Sequence, residues 1–362
     1  MSSPATRPTR TPDAASSAPG RRKSVLLFLA LTALLLAGAV AALALGAVSV
    51  APRAVLRILF NHAGLGGAGG FTVQEEAVVW SIRLPRLLLG ALVGAGLGAA
   101  GAALQGVFRN PLADPQLVGV ASGAALGSTA AIALAGTGLG GLAGPLGGLL
   151  GGVTAGAVVY LLARHQGRTE VVTMVLAGIA VAAVGLAGAA LLGFAVDRPE
   201  LHSLTFWSFG SISVATWRVL GVTTPFVLAA VMLLPLFSRP LDLLLLGDHE
   251  AQHLGVSVER TRAAVLALAV MATAAAVSAT GIIGFVGLLA PHTVRVAVGP
   301  GHSRVLPGAA LTGAVLVVYA DLAARSLAAP TEVPVGLVTA VVGGPVFLWL
   351  LLHTRRQHGG WG

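Results

Sequence analysis

Five residues in this sequence have the spacing of a metalloprotease centre. His249-Glu250-Ala251-Gln252-His253 matches the HExxH pattern. In that pattern two histidines on one helix face hold zinc, and the glutamate between them acts as general base. An intramembrane zinc metalloprotease is therefore one function class that the residues offer. Such a centre also needs a third ligand and a setting shielded from water. The longer zincin pattern fails, because Val256 stands where its glycine would be and Glu259 where its third histidine would be. The motif also lies in a polar stretch, 239–262, that reads as an exposed loop.

Other chemistry-bearing patterns are weaker. Gly96-Leu97-Gly98-Ala99-Ala100-Gly101 matches the dinucleotide fingerprint letter for letter. The fingerprint works only between a strand and a helix, where the helix N-terminus faces pyrophosphate. Here it sits inside an apolar run, where small residues serve helix packing. Ser122 and His292 could be drawn as a serine protease pair, but nothing in the sequence brings them together. Lys23 is the sole lysine and lacks the glycine spacing of a P-loop, so this chain does not hydrolyse ATP in that way. Cysteine is absent, which excludes disulfides, thiolate metal sites and a Cys nucleophile.

The elements that carry these residues are set by hydropathy. Of 362 residues, 56% are hydrophobic and 10% charged, against roughly 25% charged in soluble domains. With a mean hydropathy of +0.89, the chain reads as lipid-embedded. A soluble enzyme, a disordered chain and a DNA-binding domain are excluded. The net charge of +9 comes almost wholly from arginines spread thinly between apolar runs, which suits loops beside anionic lipid and not a nucleic-acid face. A spanning helix needs about 20 apolar residues. Ten candidates fall at about 24–48, 87–107, 117–135, 145–163, 171–195, 218–237, 263–280, 282–298, 305–324 and 335–352. The alternation of a transmembrane barrel is missing. Residues 1–23 read as a disordered cytoplasmic tail, 24–355 as the transmembrane domain and 356–362 as a short cytoplasmic tail. The apolar run at 25–48 is too long for a cleaved signal, so it is expected to remain as the first span.

With the N-terminus inside, basic residues divide 15 to 7 in favour of the inner segments, which places both termini in the cytoplasm. Arg83, Arg86 and Arg325 are exceptions on the outer side. Few ionisable residues lie in mid-span, which counts against an ion-coupled carrier with a buried proton relay. Glycine, at 49 residues, is frequent within the spans and predicts close helix packing.

Longer motifs narrow the function. Arg83-Leu84-Pro85-Arg86 is followed by the run 101–115, GAALQGVFRNPLADP. Next come Gly281-Ile282-Ile283-Gly284-Phe285-Val286-Gly287-Leu288, Ala290-Pro291-His292, Ala320-Asp321-Leu322-Ala323-Ala324-Arg325 and the run 333–340, VPVGLVTA. In this order they resemble the FecCD/BtuC permeases of type II ABC importers, which carry iron–siderophores, haem and vitamin B12. The likeness covers about residues 30–355. It implies an all-α fold of ten transmembrane helices in the bacterial inner membrane. It also implies pairing with a second permease, expected to be another copy. Two cytoplasmic ATPases that bind ATP and Mg would complete the core, with a periplasmic or lipoprotein substrate-binding protein above it. No cofactor, catalytic residue or metal ligand is then expected on this chain.

The resemblance also assigns roles. The loop between spans six and seven, with Gly247, Asp248, Glu250, Ala251, Leu254 and Gly255, looks like the element that fits a groove on the ATPase. A polar helical turn ending at glycine suits a rigid lever. Arg83, Arg86 and Arg325 correspond to positions that meet glutamates on the two lobes of the binding protein, where a planar fork holds a carboxylate bidentately. Snorkelling to lipid phosphate is the alternative use of such arginines. Phe206-Trp207-Ser208-Phe209-Gly210-Ser211 and the 250–255 segment are most similar to haem-uptake members, which favours haem over siderophores and places vitamin B12 third. His202 near the outer mouth is a candidate haem ligand, with a satisfied loop histidine as the competing reading.

Overall fold

The computed structural model describes residues 18–46, 49–65, 69–135, 141–195, 208–327 and 331–357. Most of the expected N-terminal tail, His202 and the Phe206-Trp207 pair lie outside the described residues. The chain enters through α1 (Ala18–Ala44), which begins within the 1–23 segment, and then forms the short α2 (Pro52–His62). A one-turn α3 (Val73–Glu76) runs through a π-helical stretch (Ala77–Arg83) into α4 (Leu84–Phe108). Helices α5 (Val120–Ala135), α6 (Ala143–Leu162) and α7 (Val171–Ala195) follow. Between the last two, β1 (Arg164–His165) and β2 (Arg168–Thr169) pair as a small antiparallel hairpin. The remaining helices are α8 (Trp217–Leu233), α9 (Ser238–Leu244), α10 (Asp248–His253), α11 (Val258–Thr280), α12 (Val286–Val298), α13 (His302–Leu327) and α14 (Val335–Gln357).

Seven helical stretches are long and apolar enough to cross a membrane: Arg21–Ala44, Val73–Phe108, Ala143–Leu162, Val171–Ala195, Trp217–Leu244, Val258–Thr280 and His302–Leu327. The other three expected spans coincide with shorter apolar helices, namely α5, α12 and the Val335–Trp349 part of α14. At about 1.5 Å per residue, the 13 residues of α12 reach only some 20 Å. The non-helical segment 281–284 precedes α12, opened by Gly281 at φ 70° and followed by Phe285 at φ 67°. Non-helical backbone at membrane depth survives only inside protein. Here Gly281 and Ile283 are buried, and the neighbouring Thr280 carbonyl accepts a hydrogen bond from Ser211 N–H.

The centre of the bundle is α4, α11 and α13, whose apolar windows are each 72% buried, against 17% for α1 and α7. Glycine permits this packing. A β-carbon on Gly94, Gly98 or Gly101 would fall on the backbone carbonyls of Gly313, Ala309 and Gly287 respectively. The dinucleotide-like pattern is thus a packing seam of α4 against α12 and α13.

Candidate functional sites at the two ends of helix α4

Helix α4 begins and ends in clusters of charge. At its start, the ends of α1 and α13 converge, and this is the arginine end. Arg83 Nη1 donates to the carbonyls of Leu43 (2.7 Å) and Ala44 (3.1 Å), and Arg325 Nη2 donates to Ala42 O (2.7 Å). The last turn of α1 has no helical N–H groups to offer these oxygens, and its dipole presents negative charge, so two guanidinium groups cap it. Arg86 takes side-chain partners instead of main-chain ones. Its Nε donates to both Asp321 oxygens (2.9 and 3.2 Å), and its Nη1 donates to both Glu332 oxygens (2.9 Å each). Its Nη2 completes the Asp321 pair at 2.8 Å. Arg325 Nε lies 3.9 Å from Asp321. Arg83 and Arg86 are buried, and each of the three forks is engaged within the chain. The three arginines expected to form one face do stand together, with their charge offset in part by Asp321 and Glu332.

The other end of α4 is the loop end. Arg109 caps α4 in the left-handed region (φ 50°, ψ 34°) and donates from Nη2 to Asp248 Oδ1 at 2.6 Å. The same oxygen accepts from Arg262 Nη2 at 2.8 Å. Arg262, buried at the start of α11, also donates from Nη1 to Glu259. Glu259 Oε2 in turn accepts from Thr169 N and Oγ1, at 3.1 and 2.7 Å. One carboxylate at the head of α10 thus binds this short helix to α4 and α11. Ala251 is fully buried beneath it, while Glu250, Leu254 and Gly255 are exposed. Gly247 (φ 125°) and Gly255 (φ 84°) flank the helix in conformations that a side chain disfavours.

His249 and His253 are exposed on α10, and among the described residues no group of three His, Cys, Asp or Glu is placed to hold a metal. Ser122 Oγ donates to Gly119 O at 2.8 Å, an ordinary backbone bond. Three partnerships escaped the sequence reading. Glu332 and Arg262 carried no motif of their own. Asp242, which accepts from His302 N (2.9 Å) and lies 2.6 Å from its Nδ1, joins α9 to the start of α13. A signal did exist for Asp321, four residues before Arg325 on one helix face. In the loop after α4, burial pushes the Asp114 carboxyl above its ordinary range, although the Gln116 N–H that it caps pulls it down.

A family model described as the FecCD transport family matches residues 34–353. The chain belongs to the FecCD transport family. It is 41% identical over 285 residues to the hemin transport system permease protein HmuU of Yersinia pestis, covering 78% of this chain and 85% of that one. It is 44% identical over 284 residues to the cobalamin import system permease protein BtuC of Halobacterium salinarum, covering 78% and 75%. A solved structure of a metal-chelate type ABC transporter, in an inward-facing conformation, superposes with a TM-score of 0.78 at 34% identity. It covers 91% of this chain and 99% of that chain. As a FecCD member, the chain is a multi-pass permease subunit of an ABC transporter and not an enzyme, with ATP hydrolysis on a separate subunit. In a permease subunit that is not an enzyme, the HExxH pattern on α10 is a chance match.

Proposed function

We propose that this permease imports an iron chelate, haem ahead of ferric siderophores, across the bacterial inner membrane with both termini in the cytoplasm. The observation that carries the haem reading is the 41% identity to a hemin permease. The 44% identity to an archaeal cobalamin permease supports vitamin B12 as the second reading. The working assembly pairs this chain with a second copy. Two ATPases holding ATP and Mg sit at the loop end, and a substrate-binding protein docks at the arginine end. Gly247, Asp248, Glu250, Ala251, Leu254 and Gly255 form the coupling loop. Its short helix and the turn after it present exposed Glu250 and Leu254 while Asp248 ties the helix to α4 and α11, the arrangement a lever requires. Arg83, Arg86 and Arg325 form the docking cluster, with three guanidinium groups against two carboxylates. The chelate passes along apolar and small side chains, a path suited to the glycine-rich, charge-poor spans.

The test is ATP-driven uptake into proteoliposomes holding the full complex, with haem, ferric hydroxamate, ferric citrate and cobalamin offered in competition. Haem should enter fastest and suppress the rest. Uptake of cobalamin alone would replace the haem reading with the second one.

A further inference from the structure

Arg86 is gripped by two carboxylates of unequal character. Asp321 takes the Nε and Nη2 edge and is 7% exposed at its side chain. Glu332 takes Nη1 with both oxygens and is 43% exposed. The first is a buried pair fixed in the bundle. The second sits at the rim, three residues before α14 begins. We propose that Glu332 is an internal stand-in for a docking protein's carboxylate: it occupies Arg86 Nη1 in the resting permease and gives way when that protein inserts its own acidic side chain. This rests on the reading of the arginine end as the docking face.

The chemistry follows from what each group loses. When Glu332 leaves, Arg86 keeps Asp321 as its buried partner but Nη1 loses its acceptor, a modest penalty at the rim. Glu332 therefore stays until another carboxylate takes its place. Once displaced it returns to water, where an exposed carboxylate is well solvated and a rim ion pair is worth little. The exchange keeps the number of carboxylates on Arg86 at two. The backbone need not move, since the adjacent Val333 N–H is already tied to Ala324 O, so rotation of one side chain suffices. The partner's chemistry follows too. It must present a carboxylate on a reachable loop, because a neutral or basic group would expel Glu332 and leave Arg86 half-bonded. The device rejects wrong partners as well as admitting the right one.

The test uses the full permease–ATPase complex in lipid nanodiscs, titrated with the importer's fluorescently labelled binding protein at low and high salt. Removing the competitor in Glu332→Gln and Glu332→Ala should tighten binding about fivefold, the scale of a rim ion pair. The gain should come through faster association at low salt, since the cluster becomes more positive. The Arg83→Glu, Arg86→Glu, Arg325→Glu triple variant should bind more weakly. Weakened binding in the triple variant with unchanged or weaker binding in both Glu332 variants would overturn the stand-in and leave the docking face intact. Unchanged binding in the triple variant would remove the docking face itself.

Discussion

Arg109 and Asp248, 139 positions apart in sequence, meet at 2.6 Å where the central helix α4 ends and the short α10 begins. The helix that ends at Arg109 has Arg86 in its first turn, 235 positions from its partner Asp321. Twenty-five residues of α4, about 37 Å, thus run as one strut between the proposed docking cluster and the proposed coupling loop. The glycine seam packs this strut directly on the backbones of α12 and α13. A shift at one end has few soft contacts in which to dissipate.

The seam predicts a graded sensitivity to a single methyl group. Gly98→Ala and Gly101→Ala place a β-carbon on backbone oxygen, and neither neighbour is a flexible side chain. Each should cost about 1–3 kcal/mol, as overpacking does, and lower the thermal midpoint in detergent. Gly221→Ala, in a helix with open space around the position, should be neutral or slightly stabilising. Equal midpoints for all three would show that the seam is not tight.

Removing Asp321 leaves Arg86 and the Arg325 side chain without their buried anion. Asp321→Ala should therefore cost about 3–5 kcal/mol, with Asp321→Asn milder because it retains an acceptor. Glu332→Gln should leave the thermal midpoint nearly unchanged. The comparison is one thermal-unfolding series, and a larger loss in the Glu332 variant would invert the assignment of buried and rim carboxylates.

Much of this was legible in the sequence, for reasons that differ by element. The apolar runs that became α4, α11 and α13 stand out because lipid demands hydrophobicity over a whole span. The break between α11 and α12 was legible at Gly281, where a left-handed residue ends the helix. The 247–255 loop and the arginine trio drew notice through family resemblance, which is where their proposed roles come from. The 11-residue α2 was missed: it buries only Ala54, Val55 and Ile58 and is too short to register as a span. The Arg86–Glu332 bond was missed because 246 positions separate the residues and no periodicity links them. The capping of α1 by Arg83 and Arg325 was hidden for a related reason. Its acceptors are main-chain carbonyls, which every sequence possesses.

Asp248 offers a test of the lever. Asp248→Asn withdraws the shared anion from Arg109 and Arg262 without adding bulk. Coupling free energies between sites run to a few kcal/mol, so transport per ATP hydrolysed should fall by about tenfold. Gly255→Val, which forces a β-branched residue to φ 84°, should uncouple in the same sense. Wild-type stoichiometry in both variants would detach the loop from energy coupling.

Asp114 sets a pH dependence. Its folded-state pKa lies above the unfolded one because burial disfavours the anion. The folded state therefore holds this proton more tightly, and stability from the group is present at low pH and declines as pH rises through the folded value. Asp114→Asn keeps the cap on Gln116 N–H without the charge. It should unfold at an equal or higher temperature near neutral pH and lose the part of the decline with rising pH that this carboxyl contributes. A variant less stable than wild type at neutral pH would mean that the carboxylate is favoured there.

ATP dependence of uptake in defined proteoliposomes tests the permease reading most directly. Purified chain alone, the chain with its ATPase, and the full complex with binding protein are compared with haem outside and ATP within. Haem should accumulate only in the full complex with hydrolysable ATP, and the chain alone should show neither ATPase activity nor transport. Accumulation by the chain alone, or hydrolysis by the chain alone, would contradict the account.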